Sequence, residues 1–171
     1  MSQLATRRAH VVSVSNRAAA GVYEDTTGPR IVAALEEAGL GAVTSSVVPD
    51  GEPVAEALEA AVSAGMDVVI TTGGTGLTPT DLTPEMTRPL LDREVPGVAE
   101  AIRAYGVSKG VPTASLSRGL VGLAGSTLIV NLPGSSGGVK DGLAVLMPIL
   151  DHLLDQVAGG DHVRADEGEA S

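Results

Sequence analysis

A chain of 171 residues, 43% of them hydrophobic, falls in the size range of one domain and can bury a substantial core; the absence of cysteine excludes disulfides, thiolate metal sites and cysteine nucleophiles. The net charge of −10 argues against a nucleic-acid partner, which needs a basic face to displace counterions, and leaves small phosphorylated ligands open through backbone amides and one magnesium ion. Phe and Trp are absent and Tyr occurs only at Tyr23 and Tyr105, so a planar ligand has to lie against aliphatic side chains and glycine backbone rather than aromatic platforms.

Residues 10–15 form a short apolar run that predicts a first strand. Gly28-Pro29 opens a helix, proline standing early where its missing N–H is harmless, and Ile31, Ala34, Leu35 and Ala38 give it an apolar face up to a capping Gly39. Residues 42–48 predict a second strand, ending at Pro49-Asp50-Gly51. Residues 53–64 predict a helix with Val54, Leu58 and Val62 on one side, closed by Gly65, and residues 67–72 a third strand. Strand, helix, strand, helix, strand is the order of right-handed crossovers, so the fold class is α/β with a mostly parallel sheet.

Thr83-Pro84-Glu85 starts a helix to about residue 91, and Pro96-Gly97 another to about residue 105. Two apolar runs, 120–124 and 127–130, flank Gly125-Ser126, a turn signal for one antiparallel hairpin. Residues 135–157 read as a helix with Leu143, Leu146, Leu150 and Leu154 on its apolar side; Pro148 inside it predicts a kink or a break. From Gly159 the chain turns polar and acidic, so one domain over 1–158 is expected to precede a disordered tail over 159–171. His10, His152 and His162 are too scattered for a triad or a metal cage. No basic segment leads into a long apolar run and no window reaches the length of a membrane span, so a cytoplasmic protein without a membrane partner is expected.

The most informative stretch is Val68-Val69-Ile70-Thr71-Thr72-Gly73-Gly74-Thr75-Gly76, a buried strand running into glycines, followed by Asp81 and Thr83-Pro84-Glu85. Glycines let a backbone approach a ligand where a Cβ collides, which is how a sheet edge offers amides to phosphates. The loop matches neither the dinucleotide fingerprint nor the P-loop, and by itself is equally compatible with a tight strand-to-helix turn. Asp81 and Asp50 can position magnesium over such an anion hole, or can be a helix cap and a turn residue. Asn131-Leu132-Pro133-Gly134-Ser135-Ser136 precedes the last helix, whose N-terminus is an anion site or a plain cap. Arg118 can pair with a phosphate or lie on the surface. In an open α/β sheet, loops at the strand C-termini share one crevice, so those after the first three strands are expected to meet.

These motifs in this order resemble the MogA/MoaB family of molybdenum-cofactor biosynthesis proteins, which also supplies the G domain of gephyrin. The resemblance covers about residues 8–158 and rests on Val14-Ser15-Asn16-Arg17-Ala18 with Gly21-Val22-Tyr23-Glu24-Asp25 and Gly28-Pro29, on Val48-Pro49-Asp50, and on Thr72-Gly73-Gly74-Thr75-Gly76 with Asp81-Leu82-Thr83-Pro84-Glu85. It continues in Val95-Pro96-Gly97, Pro112-Thr113, Leu116-Ser117-Arg118-Gly119 and Asn131-Leu132-Pro133-Gly134. The stretches 17–25 and 134–142 look closest to the Mog branch, which adenylylates molybdopterin.

The resemblance implies a three-layer α/β/α domain, a homotrimer, that binds molybdopterin and MgATP and transfers AMP to the molybdopterin phosphate. Delivery to a molybdate-inserting protein is the partner step it implies. Carried over to this chain, it puts the functional aspartates at Asp50 and Asp81, acting through magnesium. It puts ligand binding at Ser15, Gly73, Gly74, Thr75, Gly76, Thr83, Ser117, Pro133 and Gly134. Many members carry Asp where this chain has Asn16. The alternative is a non-catalytic binding module of the MoaB or gephyrin type. A nicotinamide oxidoreductase is disfavoured because no GxGxxG follows the first strand.

Overall fold

The computed structural model describes residues 3–160. Its sheet has six strands, β1 (Arg8–Val14), β2 (Ala42–Val48), β3 (Val68–Thr72), β4 (Arg93–Glu94), β5 (Val121–Ala124) and β6 (Thr127–Leu132), in the order β2-β1-β3-β6-β5-β4. β2, β1, β3 and β6 are parallel; β5 runs antiparallel to β6 and to β4. The helices are α1 (Asn16–Ala19), α2 (Thr27–Glu37), α3 (Glu52–Ser63), α4 (Thr83–Thr87), α5 (Pro96–Ser108) and α6 (Ser136–Val157).

The central strands are runs of Val, Ile and Leu because both of their faces are covered. Side chains alternate across the sheet, so Leu128, Val130 and Leu132 of β6 join one core and Ile129 the other. The first core packs β1, β3 and β6 against Ile31 and Leu35 of α2, Ile102 of α5 and Leu146, Leu150 and Leu154 of α6. The second packs Val12, Val69 and Ile129 against Val54, Leu58 and Ala61 of α3, with Met86 of α4 beside them. This is the expected α/β class, with helices on both faces. Among the described residues, no helix is long and apolar enough to cross a membrane.

β1 stands between β2 and β3, so the chain winds outward in opposite directions from it. The crevice at such a switch opens beyond the strand C-termini, where Val14, Thr72 and Leu132 end β1, β3 and β6.

Several expectations are corrected. The helix expected to about residue 91 divides into α4 and a 3-10 turn over Arg88–Leu90, because Pro89 has no N–H for the α-helical bond. No break occurs at Pro148: α6 continues through it, with Pro148 and Ala144 on the exposed side, where water can take the carbonyl that proline leaves without a donor. α5 runs on to Ser108, and Ser15 leaves the first strand to cap α1, accepting the Ala18 N–H at 3.1 Å. Residues 161–171 of the expected tail lie outside the described residues.

Candidate functional site

Three loops meet backbone to backbone at the switch point. Gly73 and Gly74 adopt φ of +100° and +67°, a region that L side chains rarely occupy. A Cβ on Gly73 would sit 2.3 Å from the Val14 carbonyl, and one on Gly134 3.1 Å from the Gly73 Cα. On Gly74 it would lie 2.2 Å from Thr83 Oγ1 and 2.4 Å from Asp50 Oδ2. The Gly73 N–H donates to the Leu132 carbonyl at 3.1 Å, and the Thr72 hydroxyl to the Pro133 carbonyl at 2.9 Å. The loops after β1, β3 and β6 thus form one floor; of the loops after the first three strands, which were expected to meet, that after β2 touches the other two through Asp50, at Asn16 and Leu82, but lines neither cavity.

Asp50 lies beneath that floor. Its Oδ1 accepts the N–H of Gly51 at 2.7 Å and of Leu82 at 3.0 Å. Burial pushes its carboxyl above the ordinary aspartate value; the N–H groups of Leu82 and Gly51 oppose this, and the nearby carboxylates of Asp81 and Glu85 reinforce it. Asn16 accepts the Asp50 N–H on Oδ1 at 2.9 Å, so it fixes the loop without adding a negative charge beside Asp50. Asp81 Oδ2 accepts the N–H of Thr78 at 3.0 Å and its hydroxyl at 2.7 Å. Each aspartate therefore keeps one oxygen free of hydrogen bonds to the described residues. Among the described residues, no cluster of three or more His, Asp or Glu could cage a metal. Two half-free carboxylates fit magnesium held mainly through phosphates and water, and do not fit an all-protein cage.

Arg118 differs from its sequence expectation as a phosphate partner. Its Nε donates to the Gly76 carbonyl at 2.9 Å, its Nη2 to the Asp81 carbonyl at 2.7 Å, and its guanidinium grips both oxygens of Glu85. That pairing holds the Glu85 carboxyl below the ordinary glutamate value. Its main-chain N–H reaches the Thr75 carbonyl at 2.9 Å, and Ser117 donates to Thr75 Oγ1 at 3.3 Å. Arg118 is thus a strap across the glycine loop, its fork already filled.

Two cavities open above the floor and share Gly74, Gly134 and Ser135. The first, about 450 Å³, has apolar walls of Val111, Leu116 and Pro133, with Thr75, Gly76, Asp81, Ser117 and Asp141. The second, about 370 Å³, is lined by hydroxyls of Ser13, Ser15, Thr27, Thr72 and Ser136, with Gly73 and Tyr23. It adjoins the N-terminus of α6, whose partial positive charge favours anions, and that of α2, where the Asp25 carboxylate already sits in the cavity wall. Most of the expected residues therefore face one cavity or the other. Two do not: Asp50 lines neither, and Thr83 is fully buried with its hydroxyl on the Gly73 carbonyl at 3.0 Å, a support for the loop rather than a ligand contact.

Sequence reasoning missed three residues. Tyr23 lines the second cavity with Arg17 over its ring at 5.6 Å; its place in the loop after the first strand was the available signal. Asp25 accepts the Ser13 hydroxyl at 2.6 Å and the Gly28 N–H at 3.2 Å, so it caps α2. Asp141 lay within the stretch 134–142 that carried the resemblance, which was the available signal.

The sequence model of the family described as "Probable molybdopterin binding domain" matches residues 10–152. The chain is 41% identical over 90% of its length to a molybdenum cofactor biosynthesis bifunctional protein of Synechococcus elongatus, of which it covers 48%. It spans about half the length of that relative and of a second bifunctional one, of which it covers 50%. It is 41% identical to the molybdopterin adenylyltransferase of Haemophilus influenzae, over 78% of this chain and 69% of that one. The molybdopterin biosynthesis Mog protein of Mycobacterium ulcerans superposes with a TM-score of 0.86 at 54% identity, over 90% of this chain and 98% of that one.

Proposed function

This chain belongs to the probable molybdopterin-binding domain family, and from that premise we propose that it is a molybdopterin adenylyltransferase in molybdenum-cofactor biosynthesis. The observation that carries the reading is the pair of cavities joined at Gly74, Gly134 and Ser135, which suits two substrates whose phosphates must touch. The cavity with aliphatic walls takes the pterin; the hydroxyl-lined one, at two helix N-termini, takes ATP.

A phosphate oxygen of molybdopterin attacks the α-phosphorus of ATP, and the bond to the departing pyrophosphate breaks. That oxygen is already anionic at neutral pH, so no general base is required and the protein acts by positioning. The glycine-loop amides and the α6 N-terminus orient the two phosphates at the shared ridge. Asp81 and Asp50 would hold magnesium, which when bound neutralises phosphate oxygens. Arg118 keeps Asp81 and the loop in place. The reading includes a cytoplasmic homotrimer that hands its product to a molybdate-inserting protein; a monomer by sedimentation would remove the trimer from it.

The test is pyrophosphate release from molybdopterin and MgATP. Asp81→Asn is expected to lower the rate about 100-fold or more with the melting temperature retained; full activity in that variant counts against the role of Asp81. Saturable molybdopterin binding by the wild type without pyrophosphate release would make the chain a binding module instead.

A further inference from the structure

Asp141 stands on α6 in the wall of the aliphatic cavity, which the glycine loop also lines. Its Oδ2 lies 3.7 Å from where a Cβ of Gly106 on α5 would be, and that same Cβ would come 2.6 Å from the Ala114 Cβ, so only glycine leaves this seam open. Among the described residues Asp141 makes no hydrogen bond or ion pair, and the neighbouring Lys140 is exposed and does not neutralise it. Asp81, the other carboxylate of this cavity, is by contrast tied to Thr78.

An unpaired carboxylate in a cavity for a phosphate-bearing ligand adds repulsion unless the far end of that ligand offers hydrogen-bond donors. Resting on the reading of this cavity as the pterin's, we infer that Asp141 recognises the pyrimidine edge of the pterin. That edge presents N3–H and the 2-amino group side by side, two donors at the spacing a carboxylate accepts in the manner of an arginine fork. The ligand then lies with its phosphate toward the glycine amides, its ring between Val111, Leu116 and Pro133, and its donor edge on Asp141. Asp141 is thus a specificity-determining residue, selecting 2-amino-4-oxo pteridines over their 2-oxo counterparts.

The experiment compares binding of 6-phosphooxymethylpterin and 6-phosphooxymethyllumazine by calorimetry. Lumazine presents one donor and one acceptor on the same edge, which an asparagine amide matches and a carboxylate does not. Wild type is expected to prefer the pterin by about tenfold or more, and Asp141→Asn to reverse the preference, an inversion that a merely structural role does not produce. Asp141→Ser is expected to abolish discrimination and serves if the asparagine variant does not fold. The same preference in wild type and variants, or a wild type that binds neither compound, overturns the inference. Pyrophosphate release from molybdopterin, run alongside, separates the two readings. Transfer with unchanged preference refutes the role of Asp141 alone, whereas inversion without transfer upholds it and refutes the adenylyltransferase.

Discussion

The aliphatic cavity above the glycine loop and the groove between β2 and α3 are similar in size, about 450 and 550 Å³, yet only the smaller is equipped for chemistry. The groove is lined by small residues, Ala57, Ala60, Ala61 and Ala64; its one carboxylate, Glu56, is exposed to water, and its imidazole and hydroxyls already satisfy one another. His10 Nδ1 lies 2.7 Å from Thr44 Oγ1, and Nε2 2.9 Å from Ser46 Oγ. Above the glycine loop, an oxygen of Asp81 and the whole carboxylate of Asp141 have no partner among the described residues. Volume does not mark a site; partly buried polar groups left unsatisfied by the fold do.

The sharpest way to break that comparison is Gly74→Ala. Its methyl meets Thr83 Oγ1 and Asp50 Oδ2 in a backbone conformation that disfavours alanine, so pyrophosphate release is expected to fall about 100-fold or more, while Ala60→Ser in the groove changes it less than about twofold. Equal losses in the two assays would erase the distinction.

Arg118→Lys ranks next, because a lysine cannot hold the Gly76 and Asp81 carbonyls and Glu85 at once. A drop of about tenfold in kcat/KM is expected with little change in melting temperature, since the pair with Glu85 is largely exposed.

The pH profile sharpens the comparison further. In the unliganded protein the Asp50 carboxyl is raised, so as pH falls it neutralises above the ordinary aspartate range. Its contribution to stability is therefore present below the unfolded value and lost as pH rises through the raised folded one. Glu85 is depressed, so its pairing with Arg118 persists above the ordinary glutamate value and fails only as pH falls through the lowered one. Melting temperatures of the unliganded wild type and Asp50→Asn that change in parallel across the acid range would contradict the placement of Asp50.

The smallest effect belongs to the groove. Burial lowers the His10 value, so the neutral ring's contribution is present above the ordinary histidine value and lost as pH falls through the lowered one. His10→Asn is expected to reduce the loss of melting temperature between pH 7.5 and 5 by about 1–2 °C, with transfer activity unchanged.

What was legible in the sequence was local. Val68 to Thr72 announced a buried strand by composition, Gly73 and Gly74 announced a backbone that needs positive φ, and Gly125-Ser126 announced the hairpin, because each signal lies within a few residues. What was not legible depends on distant parts of the chain. The guanidinium of Arg118 is filled by Gly76, Asp81 and Glu85, groups 33 to 42 residues away, and nothing near it says so. Asp141 faces a cavity whose opposite walls belong to other elements. The four-residue α1 and the two-residue β4 are too short for a hydrophobic period, and Pro148 was read as a kink or a break because sequence does not say that its side of α6 is exposed.

The glycine seam that joins the ends of β1, β3 and β6 also ties occupancy to the slowest openings of the molecule. A ligand at 100 times its dissociation constant adds about 2.7 kcal/mol to whatever must open to release it. Any opening that pulls those strand ends apart also breaks the site, so amide hydrogen exchange should slow in the three central strands on binding.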